Sequence, residues 1–350
     1  MVFNMDQKSE IGIQVLRSRK ASWVLAPGIL IAALLQCMVA VSMSYAEVLL
    51  YKDKLGREVS IQTPVKRAVF FETYELIPAL DIWDKAVGIS RYAYGNDLMT
   101  AAKPDIKKSI PSAGSGFDVN MEALLKLNPE IVITWTSNPQ NIRFMEEKGL
   151  AVYAIYPEGL DELYEVMRFH GKIFDREKRV EAVIAEMNRV FGMIRKRVSA
   201  IPALERRKVI WISSRPTSVA CGIGVTNDVI TLINGINPAE GIRERSTDVS
   251  VEQIIAWNPD VIFIWGNAKY TAQEIMDNAQ WRFVKAVKDR RVFKAPEWST
   301  WSPRLAPIAL WMAVRTYPEQ FRDVQIEKEA DIFYRSVFGV EFNKVKGFAN

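Results

Sequence analysis

Histidine is almost missing from this 350-residue chain, which has His170 and no other. Imidazole is the commonest nitrogen ligand of transition metals. A site built to grip a bare divalent transition metal is therefore not expected. His170 falls in a helix expected over 161–174 and reads as structural or solvated. Cysteine is as scarce, with only Cys37 and Cys221. That excludes a disulfide framework. With so few nucleophiles and bases, an enzyme here would have to rely on carboxylates or on Ser-Lys chemistry. No Walker sequence occurs, so the chain is no P-loop ATPase. Gly222-Ile223-Gly224 lacks the third glycine of a dinucleotide fingerprint. The net charge of +5 is small. No basic stripe interleaved with aromatics is present, so nucleic acid is not an expected partner.

The amino end has the pattern of an export signal. Arg17, Arg19 and Lys20 precede a mainly apolar run, Trp23–Met43. Ser44-Tyr45-Ala46 then offers small residues for cleavage before Glu47. The run approaches the ~20 residues that span a bilayer, so an uncleaved anchor is the alternative. A lipid on Cys37 is a third reading, although Gln36 replaces the small residue of a lipobox. Translation could equally start at Met5. Without residues 1–46 the chain keeps 42 basic against 39 acidic residues, a balance of +3. Cys221 is then alone and is expected to be a small buried residue.

One stretch occurs twice, 130 residues apart. Val119–Trp135 reads VNMEALLKLNPEIVITW and Val249–Trp265 reads VSVEQIIAWNPDVIFIW. Val, Glu, Asn, Pro and Trp recur at the same five positions without a gap. The spacing is too wide for a solenoid and implies two lobes on one plan. Asn120 and Ser250 are good helix N-caps. Met121, Leu124 and Leu125, like Val251, Ile254 and Ile255, have helical spacing. Asn-Pro closes each helix. Ile131–Trp135 and Val261–Trp265 run apolar without alternation, as strands covered on both faces do. The expected fold class is α/β, with two Rossmann-like lobes and parallel-rich sheets.

Between the copies, Asp175 is placed to cap a helix running to about Val198. Its apolar positions are Val180, Val183, Ile184, Met187, Phe191, Ile194 and Val198, at steps of three and four. Such a rod measures about 35 Å and suits a connector. An ordinary packing helix within one lobe has the same periodicity. The expected organisation is a leader over 1–46, a first lobe over 47–174, a connecting helix over 175–198 and a second lobe over 199–350.

The order of several short motifs resembles one family. They are Asp53-Lys54-Leu55-Gly56-Arg57, then Pro64–Val69, Val87–Ser90, both repeat copies, Asn227–Asn237 and Trp301-Ser302-Pro303-Arg304. This series is similar to that of the periplasmic substrate-binding proteins of ABC importers for iron–siderophores, haem and cobalamin. The resemblance implies two lobes joined by one long helix, with the ligand cleft between them. It implies a monomer in the periplasm that hands a small-molecule metal complex to a permease dimer with a cytoplasmic ATPase. No catalytic residue, resident cofactor or metal ligand is expected. Some members carry molybdate or tungstate, so an oxyanion is the alternative cargo. Zinc- and manganese-binding relatives use several histidines, which this chain lacks. An exported enzyme on a doubled α/β scaffold is the reading from another class.

The resemblance also gives the repeated carboxylates a role. Family members place a glutamate on each lobe against arginines of the permease, which makes Glu122 and Glu252 the docking candidates. A negative charge near a helix start also favours the helix dipole. Ligand residues should sit at strand ends and loops facing the cleft. On the first lobe these are Glu72, Thr73 and Tyr74, Tyr92 and Tyr94, Gly116 and Phe117, and Trp135. Tyr92 falls where a cobalamin-binding member has a cleft tyrosine. On the second lobe they are Ser214 and Arg215, then Trp265, Trp298, Trp301 and Arg304. Aromatic rings offer stacking faces for a bulky chelate, and arginine meets an anionic group. Many such aromatics instead fill a core, and Arg304 could instead anchor its own loop.

Overall fold

The computed structural model describes residues 47–348. The expected leader, with its cleavage site, Cys37 and Met5, lies outside the described residues. Strand β1 (Glu47–Lys52) pairs antiparallel with β2 (Glu58–Thr63). The turn between them explains the Asp-x-x-Gly-Arg motif. Asp53 Oδ1 accepts from the amides of Leu55 and Arg57, and Gly56 takes a left-handed φ of 75°. Arg57 then folds back onto the Asp53 carboxylate.

The first lobe holds β3 (Ala68–Phe70), β4 (Ala86–Ile89), β5 (Ile131–Trp135) and β6 (Val152–Ile155), all parallel, in the order β4-β3-β5-β6. The second holds β7 (Val209–Ile212), β8 (Ser218–Ala220), β9 (Ser246–Asp248), β10 (Val261–Ile264) and β11 (Val292–Lys294). Their order is β11-β10-β7-β8-β9, parallel from β11 to β7 and antiparallel beyond. Unbroken apolar strands are covered on both faces. Val69, Val132 and Ala154 enter a core private to the first lobe. Ile210, Ile212, Ile262 and Ile264 enter one private to the second. The alternate residues, such as Phe70, Ile131 and Ile133 or Val209, Trp211 and Phe263, face one core common to both lobes.

The helix Glu177–Val198 lies in that common core. All seven expected apolar positions are buried, and Val190 makes eight. Side chains of that size contribute about 1.5–3 kcal/mol each on burial, so the connector is also a packing helix. Asp175 does not cap it. Asp175 takes a left-handed φ of 57°, Arg176 holds the cap position, and no side chain caps the helix. The tight corner after the helix Leu160–Ile173 uses the Asp175 backbone for the turn.

Both repeat copies form the same unit. Asn120 accepts from the Ala123 amide and Ser250 from the Gln253 amide, opening the helices Met121–Lys126 and Val251–Trp257. Asn128 and Asn258 take φ of 44° and 46°, a region asparagine tolerates better than most residues. The acidic residue after each proline has one job in both lobes. Glu130 accepts from the amides of Lys66 and Arg67, just before β3, and Asp260 accepts from that of Lys208, just before β7.

Candidate functional site

The strand order locates a crevice in each lobe. In the first, β4 and β5 lie on opposite sides of β3, so the chain leaves β3 and β5 in diverging directions. Such switch points at carboxyl strand ends are where α/β sheets take ligands. Glu72–Tyr74 and Trp135 occupy this one. In the second lobe the corresponding point is between β7 and β10, at Ser214-Arg215 and Trp265.

An aromatic row crosses the seam between the lobes. Phe117 stands edge-on to Trp135 at 4.6 Å, Trp135 meets Trp301 at 6.0 Å, and Trp301 meets Tyr156 at 4.6 Å. The Arg245 guanidinium covers the Tyr156 ring at 3.5 Å and pairs with Glu158 at 2.6 Å. Phe117 is half exposed. Gly116 allows its loop to lie on the indole, because a Cβ there would fall 2.7 Å from Thr134 Oγ1 and 3.1 Å from Trp135 Nε1. Trp135 Nε1 and Ser115 Oγ are buried donors without a protein partner. Buried polar groups are seldom left so.

Other candidates are committed to the framework. Arg304 is fully buried, and Nη1 meets Glu75 Oε1 at 3.1 Å and Asp97 Oδ1 at 2.8 Å. Its Nε donates to Tyr334 Oη, and its guanidinium lies 4.5 Å from the Trp298 ring. Trp298 is buried and donates to Asp97 Oδ2 at 3.2 Å. Ser302 donates to Glu75 Oε2 and Asn96 to Glu75 Oε1. This clasp ties the first lobe to the loop after β11 and buries the Arg304 side chain completely. Trp265 is half-buried against the common core. Beside the clasp, Gly95–Asp97 face Gly266 and Lys294–Trp298 across a cavity of about 350 Å³.

The loop after β3 is strained at Thr73, a β-branched residue with φ 54°. Its hydroxyl lies 3.0 Å from His170 Nε2, while His170 Nδ1 donates to Val166 O at 2.7 Å. Burial keeps this imidazole neutral, with its pKa down at about 4. Burial also pushes the Glu72 carboxyl up to about 7, helped by the nearby Glu75. Tyr74 is half-buried, and burial pushes its phenol up. Tyr94 spends its hydroxyl on Ile110 O. Tyr92 is exposed beside Arg91, which pairs with Asp118. Ser214 and Arg215 are exposed, and Arg215 pairs with Asp248.

Phe117, Trp135 and Trp301 are thus brought together, joined by two residues that the sequence reading missed. Tyr156 comes directly after β6, and Trp135 ends β5, so its place at a strand end was a usable signal. Arg245 had none, since only the fold brings the start of β9 to it. Glu122 and Glu252 are exposed in the first turns of their helices, and Glu122 pairs with Lys126 at 2.6 Å. The Glu252 carboxyl is held low by its own amide and by Ser250. Cys221 is buried. Among the described residues no group of three His, Cys, Asp or Glu is placed to hold a metal ion.

Residues 68–297 match the family model described as periplasmic binding protein. The chain belongs to this family. Membership carries an extracytoplasmic location, a small-molecule cargo and a transporter partner, and the homologues are solute-binding proteins. The molybdate-binding protein MolA of Haemophilus influenzae is 23% identical over 83% of this chain and 91% of its own length. The vitamin B12-binding protein of Yersinia pestis is 21% identical over 55% of this chain and 66% of its own. Among solved structures, Helicobacter pylori CeuE with Ni(II) bound superimposes with a TM-score of 0.74 at 24% identity, covering 85% of this chain and 98% of that one. MolA bound to molybdate gives 0.71 at 21% identity, covering 84% and 98%. These likenesses are to two-lobe periplasmic binding proteins, the architecture described above. Among the described residues no helix is long and apolar enough to cross a membrane.

Proposed function

We propose that this periplasmic binding protein captures a metal chelate, an iron–siderophore before haem or cobalamin, and delivers it to an ABC importer permease. The observation that supports this most is the row Phe117–Trp135–Trp301–Tyr156, which offers stacking faces from both lobes and ends at Arg245. A bulky chelate with its own donors needs such faces and a cation for its anionic groups. Glu122 and Glu252 are the docking carboxylates, one on each lobe, for two basic patches of a permease dimer. The protein works as a monomer in the periplasm without catalysis. A cleavable leader over 1–46 exports it, with Cys37 lipidation the alternative. The lobes comprise 47–174 and 199–350, with 175–198 between them.

A second reading has its own support. The unpartnered donors Trp135 Nε1 and Ser115 Oγ suit the oxygens of molybdate or tungstate, and the likeness to MolA extends over 83% of the chain. Native mass spectrometry with metal analysis, on protein taken from its own periplasm, separates the two. A complex carrying iron, cobalt or nickel with an organic ligand supports the chelate. A dominant bare oxyanion would sink it. Chemical turnover of the cargo would sink both.

A further inference from the structure

The helix Leu160–Ile173 in the first lobe starts without a cap of its own, since Gly159 at its cap position has no side chain. A carboxylate from the other lobe supplies one. Asp228, in the first turn of the helix Val225–Leu232, accepts from the Leu160 amide at 2.6 Å through Oδ2. Residue 159 must be small for this contact, because a Cβ there would lie 2.9 Å from that oxygen. One residue earlier, Glu158 O accepts from the Gly224 amide at 2.8 Å. The Glu158 carboxylate pairs with Arg245, the arginine that covers Tyr156.

We propose that Asp228 is a positioning residue, a borrowed cap that fixes the spacing of the two lobes at the Tyr156 end of the seam. N-caps hold a helix start in one conformation, and this one does so only while the lobes stay in register. Losing it loosens the helix start at 159–160 and leaves Glu158, through its bonds to Gly224 and Arg245, as the remaining tie between the lobes beside Tyr156. Asp228 itself touches no cargo. Its effect on cargo rests on the binding function proposed above, whereas its effect on lobe spacing does not.

Three variants test the latch. Asp228→Ala removes the acceptor, and Asp228→Asn keeps one. Gly159→Ala displaces the carboxylate from the opposite side and keeps the test alive if Asp228→Ala fails to fold. In cargo-free protein, amide exchange at Leu160 should rise about five- to tenfold in Asp228→Ala and Gly159→Ala and stay within about twofold in Asp228→Asn. Spin labels on cysteines at the exposed Lys126 and Gln253, in a Cys221→Ser background, should report a broader inter-lobe distance distribution in the same two variants alone. Unchanged exchange and distances in Asp228→Ala, or an Asp228→Asn variant as loose as Asp228→Ala, would overturn the proposal. Changed exchange and distances with unchanged affinity for the natural cargo would support the latch and count against the seam as the cargo site.

Discussion

Arg304 and Glu75 come from different lobes and form an ion pair at 3.1 Å with both side chains out of water. Asp97 shares the same guanidinium. One cation thus offsets the buried Glu75 and the nearly buried Asp97, and removing it leaves the Glu75 charge in a dry site. Arg304→Ala should therefore cost about 3–5 kcal/mol, far more than loss of a surface pair, which is worth about 0–1 kcal/mol. Urea unfolding of the purified protein measures this, and a loss below about 1 kcal/mol would show that the clasp is dispensable.

Trp301 is the reverse case. It packs on Trp135 and Tyr156 but not inside the clasp. Trp301→Ala should lower cargo affinity about tenfold or more, as loss of a central aromatic anchor does, with a much smaller loss of stability than Arg304→Ala. Titration of tryptophan fluorescence alongside thermal melting gives both numbers. Equal affinity in wild type and variant would remove Trp301 from the cargo site.

The docking assignment separates binding from delivery. Glu122→Lys with Glu252→Lys should leave cargo affinity unchanged and abolish uptake by the intact importer. Both side chains are exposed and lie outside the aromatic row. Normal uptake of labelled cargo by cells carrying only the double variant would reject the assignment.

Two groups beside Thr73 give pH effects of opposite sign. Burial raises the Glu72 carboxyl from 4.5 to about 7, so folding favours its protonated form. Stability from this group is present below pH 4.5 and is lost as pH rises towards 7. Glu72→Gln should melt higher than wild type at pH 8, by on the order of 1–2 kcal/mol, and match it near pH 4. Burial lowers the His170 imidazole from 6.5 to about 4, so folding favours its neutral form. Stability from this group is present above pH 6.5 and is lost as pH falls towards 4. Melting curves of Glu72→Gln from pH 4 to 8 check the first sign. A variant that gains nothing at pH 8 would show that the carboxylate is solvated.

The repeat was legible because its signals are local. Asn120 and Ser250 cap their helices from three residues away, and apolar strands announce burial on both faces. What depended on distant partners was not. Arg304 could face a ligand or anchor a loop until Glu75, 229 positions earlier, was placed against it. Asp175 had the spacing of a cap, yet the corner between two helices took its backbone for a turn. Asp228 does cap a helix, but one of the other lobe, where no local pattern points. Of the aromatics at strand ends, Trp135 took part in the row and Trp265 packed on the common core. The choice follows from which neighbour arrives from elsewhere in the chain.

The loop after β11 divides its labour within seven residues. Trp298, Ser302 and Arg304 are fastened to Glu75 and Asp97, while Trp301 between them faces the aromatic row. Fixed bolts therefore frame a short replaceable insert. If the row takes cargo as proposed, new residues at 299–301 would reshape that contact while the lobes kept their joint.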